Sequence, residues 1–386
     1  MLNDPGIRLP IDSSRVTRHA LIAAEPSSSL SPQSSVLSTE KERHLANVRQ
    51  LTAGRQNAEA YFSFDGTKLI FQSTNNWAND AVATQPLPGD GLGCYRIYVM
   101  DLESTMVRLI SSGAGTTTCG YFFPGDRRVL YSSTHLAGPN CPPKPKRNGP
   151  YRWALDDYDI FSVKIDGQQP QRLTATPGYD AEATVSPDGK TIVFTSVRDG
   201  DLDLYAMHLD GTHVRRLTSE VGYDGGGFFS PDSRRIVYRA SHPRDPGEIE
   251  AYQALLAKQL VEPGHLEIFV MNADGTGKQP VTANGGSNFA PYFHPDGKRI
   301  IFSSNLPPSP ALPLEGGGEG GGGKGPPSFH LYLINEDGSG LERVTTMGGF
   351  NSFPMFSPDG KKLVWVSDRH ATSRGEFNIF LADWVP

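Results

Sequence analysis

Six polar residues, Asn57, Thr117, Asp180, Asp224, Asn288 and Asn351, each stand seven positions ahead of a tight-turn proline or, for the first, of Phe64 in its place. Two positions further on, Glu59 and Glu182 add carboxylates. Carboxylate and amide oxygens suit a hard cation such as Ca2+, or the cationic group of a ligand. The same residue types also cap turns by bonding nearby backbone, and a repeated sequence would set them in a ring with no ligand involved. Eleven positions after each turn proline, or Phe64, lie Asn75, His135, Arg198, His242, Leu306 and Arg369. Two histidines and two arginines above an acidic ring are suited to an anionic or metal-chelating ligand, and a histidine pair to a transition metal. His135 and His242 fall in the second and fourth copies, however, which are not neighbours, so a metal held by both would have to span the centre.

The sequence carries no Gly-x-Ser-x-Gly elbow, no His-Glu-x-x-His helix and no glycine-rich phosphate loop between strand and helix. The run Gly316 to Gly325 follows no strand-to-helix transition and reads as a flexible, low-complexity excursion. Asp199-Gly200-Asp201-Leu202-Asp203 resembles a Ca2+ loop only superficially: it lacks the later glycine and the bidentate glutamate, and reads as a polar hairpin tip.

The elements that position these residues follow from a repeat. Ser186-Pro187-Asp188-Gly189-Lys190 returns as Ser357 to Lys361 and, with His294 first, as His294 to Lys298; weaker copies begin at Phe64, Pro124 and Ser230. Each copy is preceded by a Leu-Thr-like pair such as Leu173-Thr174. Around the third copy, strands are expected at 183–185, 191–196, 202–209 and 214–218, with Pro-Asp-Gly and Asp-Gly supplying the turns. Four antiparallel strands in a unit of about 40 residues make one propeller blade. The sixth copy ends one strand short, and Leu45 to Thr52 has the form of the missing strand. The reading is an all-β, six-bladed β-propeller of four-stranded antiparallel blades, its ring closed by the N-terminal strand completing the C-terminal blade.

Residues 1–43, rich in Ser and Pro, read as a disordered leader, and 44–386 as the propeller. Insertions at 76–94, 136–157, 243–264 and 306–327 all fall between second and third strands, so they should decorate one face, where variable loops carry binding residues. Asp245-Pro246-Gly247-Glu248 reads as a helix start, with Ile249, Tyr252, Leu256 and Leu260 at helical spacing.

A formal charge of −6 provides no basic face for a phosphate backbone, so nucleic acid is not an expected partner. No apolar run approaches the roughly 20 residues that cross a bilayer, and no export signal is legible. Cys94, Cys119 and Cys141 allow one bridge with one thiol left over, or three thiols; spacing does not select the pair.

The stretches Phe194 to Gly200 with Leu204-Tyr205, and Met271-Asn272-Ala273-Asp274-Gly275-Thr276, resemble the TolB-like propeller family, whose blades carry a Ser-Pro-Asp-Gly-Lys turn and an Asn-x-Asp-Gly turn before Leu-Thr. The resemblance covers about 44–384. It implies a periplasmic or secreted interaction protein, or an accessory propeller of a peptidase system, although the chain lacks both TolB's separate α/β domain and room for a peptidase domain. The functional expectation is a monomeric, non-enzymatic propeller that binds a protein segment or an extracytoplasmic polymer at the inserted face and channel mouth. The alternative is a metal-dependent hydrolase or lyase using the carboxylates and histidines at that mouth.

Overall fold

The computed structural model describes residues 42–75, 77, 93–145, 150–306 and 328–386. Most of the leader, nearly all of the insertions 76–94 and 306–327, and the glycine run lie outside these residues.

Six four-stranded antiparallel sheets are present among the described residues, and each is a blade. The innermost strands are Asn57–Phe62, Thr117–Phe122, Asp180–Val185, Tyr223–Phe229, Asn288–Phe293 and Asn351–Phe356. The sixth sheet runs in the order Leu45–Gln50, Asn378–Trp384, Lys362–Ser367, Asn351–Phe356, so the first strand of the chain completes the last blade. Leu45 and Val48 pack there with Trp365, Phe380 and Trp384. Order within the described residues extends to Glu42, ahead of the expected boundary at 43/44; Glu42 is buried and ion-paired to Arg369.

Each recurring motif has a mechanical role. In the third copy Ser186 Oγ donates to Asp188 Oδ1 at 2.7 Å, and Gly189 takes φ +68°, where a side chain would be strained. A Cβ at Gly189 would lie 3.4 Å from Pro124 Cγ, and one at Gly66 would lie 3.4 Å from Pro358 Cδ. The turn of one blade therefore seats against the turn of the next, including across the closure. The Leu-Thr pairs are anchors: Thr174 Oγ1 accepts from Ile160 N at 2.9 Å, Thr218 from Leu204 N at 2.9 Å, and Thr52 from Ile379 N at 2.8 Å. Each threonine thus satisfies the start of a third strand, which in the last case belongs to the closing blade.

The outermost strands are shorter than expected. Around the third copy only Arg215–Arg216 pairs, because Leu217 turns into the core and Thr218 serves as the anchor. The helix spans Pro246–Leu256 with Asp245 as its N-cap, accepting from Gly247 N. Leu260 is not part of it: Leu260–Val261 is a short strand paired with Trp153–Ala154.

Candidate functional site

The six polar residues ahead of the turns do sit at the head of the innermost strands, but they are sealed inside the blades. Asn57, Asp224, Asn288 and Asn351 are 0% exposed, and Thr117 and Asp180 1%. Antiparallel pairing of the first two strands places each beside the residue 16 positions later, and in three blades the side chain 18 positions later reaches back to it, so the two sets expected on separate levels meet within those blades. Arg198 Nη2 donates to Asp180 Oδ1 at 3.0 Å, His242 Nε2 lies 3.1 Å from Asp224 Oδ1, and Arg369 Nη2 donates to Asn351 Oδ1 at 3.3 Å. Ser73 and Ser304 bond Asn57 and Asn288 in the same way, at 2.7 and 2.6 Å. Burial lowers the pKa of His242, but the hydrogen bond and charge of Asp224, with Glu220, outweigh it and raise it. His135 bonds Ser133 within its own blade and stacks near Phe161, so the two histidines do not share a site. Asn75 donates to the Ala53 carbonyl, and Leu306 packs on the core. The mouth ring is therefore corrected for these residues: they are buried and bonded within their blades, with Asp180 Oδ2 and Asp224 Oδ2 left without a partner.

The true ring lies two positions further in. Every innermost strand breaks register there, between Ala58 and Tyr61 in the first blade and at the equivalent place in the other five. At each break one residue takes positive φ: Glu59 (50°), Cys119 (53°), Glu182 (56°), Gly226 (61°), Ala290 (51°) and Phe353 (52°). Five of these are not glycine. A bulge of this kind re-aims a side chain at a local strain cost, and its sixfold recurrence turns one residue per blade toward the centre.

Two positions beyond the bulges the centre is filled. The rings of Tyr61 and Phe228, from opposite blades, lie 5.4 Å apart; Phe228 also meets Tyr121 at 6.1 Å and Tyr292 at 5.5 Å. The hydroxyls of Tyr121 and Tyr292 are hydrogen-bonding neighbours, again across the centre. Met355 closes the remaining side, its sulfur accepting from Phe62 N. This aromatic plug fills the axis at that level, and the bulge residues lie on its inserted-face side, the vestibule.

The vestibule floor is charged. Arg239 is 7% exposed and ion-paired to Glu182, with its guanidinium 5.3 Å above the Trp153 ring and 5.4 Å from that of Tyr223. It fits because the fourth blade carries Gly225-Gly226-Gly227: a Cβ on Gly226 would fall 2.1 Å from Arg239 Nη1. Glu59, half-buried, has its carboxyl within hydrogen-bonding reach of the Cys119 thiol. Burial, reinforced by the Glu182 charge, raises its pKa to about 7 against the opposing pull of Cys119 and Arg239. Burial likewise pushes the Cys119 thiol up. Half-buried aromatics stand round this floor: Tyr95, Tyr158, Tyr179, Phe289 and Phe353.

Insertions form a strap over one side. Cys94 and Cys141 are disulfide-bonded with Cα atoms 5.4 Å apart, joining the first insertion to the second, and Cys119 is the thiol left over. Trp153–Ala154 pairs with Leu260–Val261, joining the second insertion to the fourth blade's. The Tyr252 hydroxyl of the helix lies 2.7 Å from Gly222 O and 2.5 Å from Asp201 Oδ1, with one proton to donate between these two acceptors, so Asp201 ties the strap to the short loop of the third blade. Asp203 of the same loop pairs with Arg216, so the loop's carboxylates are committed. An apolar groove of about 400 Å³, lined by residues including Leu155, Val197 and Leu256, lies under the helix and holds no titratable group. Reducing the disulfide, which spans a separation of 47 residues, should cost about 2–4 kcal/mol. Melting with and without a phosphine reductant measures this, and thiol titration of the unfolded chain should count one thiol before reduction and three after.

Sequence reasoning identified Glu59 and Glu182 as the inward carboxylates but missed Arg239, Cys119 and the plug. Three consecutive glycines in an expected innermost strand were the available signal, since such a gap is filled by something from a neighbouring strand. Among the described residues no three His, Cys, Asp or Glu are grouped to hold a metal, and no helix is long and apolar enough to cross a membrane.

Residues 154–254 match the TolB beta propeller domain family. A TolB homolog from Chlorobium luteolum is 27% identical over 143 residues, which cover 31% of this chain and 32% of that protein. The match thus spans about a third of the relative's length. A TolB candidate structure from Agrobacterium tumefaciens superposes with a TM-score of 0.52 at 18% identity, covering 86% of this chain and 92% of that one. TolB from Acinetobacter baumannii gives 0.51 at 18% identity, covering 78% and 57%. At these identities the structures share the fold.

Proposed function

This chain is a TolB-like six-bladed β-propeller, and from that premise we propose that it is a binding protein whose vestibule receives a segment of a protein or an extracytoplasmic polymer. The observation that carries the reading is the grouping of Glu59, Glu182 and Arg239 with half-buried aromatics above the plug: charge framed by aromatic rings is the composition of a recognition site. Half-buried aromatics offer large contact area at low entropic cost, and the strap adds Trp153 at the rim. The Cys94–Cys141 bridge and the family resemblance together support an exported protein, because such bridges persist in oxidising compartments. A metal-dependent hydrolase or lyase would need carboxylates and histidines gathered on one ion, whereas His135 and His242 are each bonded within their own blade.

A photoreactive phenylalanine analogue at Phe353 tests the reading against the same analogue at Met106, which is 71% exposed in the third-to-fourth strand turn. Irradiation in an extract of the source cells should give discrete adducts from Phe353 and none from Met106. Equal adducts from both positions, or adducts from Met106 alone, would remove the vestibule from consideration.

A further inference from the structure

The vestibule's charges do not balance. Six groups face or neighbour Glu59: Cys119, Glu182, Arg239, Tyr61, Tyr95 and Tyr158. Arg239 is the only cation among them, and its ion pair is with Glu182. Glu59 makes no ion pair among the described residues, and the donors its neighbours offer it are the thiol and backbone N–H of Cys119, neither of them charged. A second atom is also unmatched. Arg239 Nε is buried with no hydrogen-bond partner, although the guanidinium lies against the rings of Trp153 and Tyr223, which meet edge to face beside it. A carboxylate lacking a cation, a buried donor lacking an acceptor, and aromatic faces around both together specify a complementary ligand.

Resting on the binding reading above, we propose that the vestibule takes an ammonium group of a peptide on the Glu59 carboxylate, while a nearby carbonyl oxygen of that peptide accepts from Arg239 Nε. The ammonium belongs either to a chain N-terminus, which has a carbonyl in its own residue, or to a lysine side chain, whose backbone carbonyls lie a four-carbon stem away. Phe353, which follows Glu59 round the ring on the closure side, and Phe289, whose rings lie 6.1 Å apart, supply an aromatic wall. Binding is coupled to protonation. With Glu59 titrating near 7, the empty vestibule holds a proton there over much of the mildly acidic range, and the arriving cation displaces it.

Three peptides separate the cases: Gly-Ala-Gly amide with a free N-terminus, acetyl-Gly-Lys-Gly amide, and acetyl-Gly-Ala-Gly amide, which is neutral. Calorimetry at pH 5.5 and 7 should show at least one cationic peptide binding roughly 15-fold more tightly at pH 7, following the ionised fraction of a group with pKa near 7. Buffers of different ionisation enthalpy should reveal proton release at pH 6, and Glu59→Gln should abolish both effects. Cys119 in the unmodified protein supplies a second readout: the cationic peptide should slow its alkylation by N-ethylmaleimide, and the neutral one should not. Equal binding of the neutral peptide, or binding that ignores pH, would overturn the cation assignment and leave the vestibule as a binding site. If no peptide binds while Phe353 still crosslinks a ligand, the cation assignment falls alone; if the crosslink also fails, both readings fall.

Discussion

Arg369→Met should lower the unfolding free energy by about 3–5 kcal/mol, the range for removing one partner of a buried ion pair. The Arg369 and Glu42 side chains are 1% and 2% exposed, and both guanidinium Nη atoms reach the carboxylate at 3.0 Å. The guanidinium lies 5.0 Å from the Trp365 ring centre and 5.5 Å from that of Phe380. Glu42 additionally accepts from Thr346 N at 2.8 Å and Met347 N at 3.1 Å. A methionine would fill the space between the rings but leave a carboxylate in the interior without its counter-charge. The double variant Arg369→Met with Glu42→Gln should recover a large part of the loss, because no charge is then stranded. Urea midpoints of the wild type, both single variants and the double variant decide this. A single variant within about 1 kcal/mol of wild type, the scale of an exposed pair, would show that the pair does not bolt the closing blade.

Glu59→Gln should stabilise the protein at pH 8 and leave it unchanged near pH 4.5. The sign follows from the direction of the shift. An acid whose pKa rises from 4.5 in the unfolded chain to about 7 in the fold binds more protons when folded between those two values. Its contribution is full below about pH 4.5, declines as pH rises to about 7, and stays constant above. The shift sets a ceiling of about 3 kcal/mol, reduced in practice because the vestibule opens to water, which screens a half-buried carboxylate. Asp203, raised to about 6 by burial against the pull of Arg216, adds a slope of the same sign. That slope is common to both proteins and cancels in the difference. Parallel pH dependence of the two, measured as denaturant midpoints from pH 4.5 to 8, would show that Glu59 ionises freely in the vestibule.

The repeat made the fold legible because its marks lie in the chain's own chemistry. Pro187 and Gly189 dictate a turn wherever they occur, and Thr174 and Thr218 bond the starts of third strands, so blade count and closure followed from counting. The site was legible only in part. Glu59 and Glu182 stood out because charge at a repeated inward position is visible in the sequence. Asp180 and Arg198 looked like separate ligand groups, since nothing local states that positions 18 apart will meet and neutralise each other inside a blade. Arg369 looked like a loop cation, and its partner Glu42 lies more than 300 residues away in a stretch read as leader. The plug was hidden for a different reason. Tyr61, Tyr121, Phe228 and Tyr292 each look like ordinary strand residues, and only the diameter of a six-blade ring, which appears in no single repeat, brings opposite ones into contact.

The pairing of Leu45–Gln50 with Asn378–Trp384 also imposes an order of events on synthesis. The strand Leu45–Gln50 must wait for a partner made more than 300 residues later. Until then Leu45 and Val48 lack their cover, and the sixth blade offers an open edge to any neighbouring nascent chain. Blades one to five contain their strands in sequence and can be assembled as they emerge; the circle cannot. The closing step is therefore a long-range event, governed by loop-closure entropy over the more than 300 residues between the two strands, and it is the stage at which chaperones or domain swapping would find their opening.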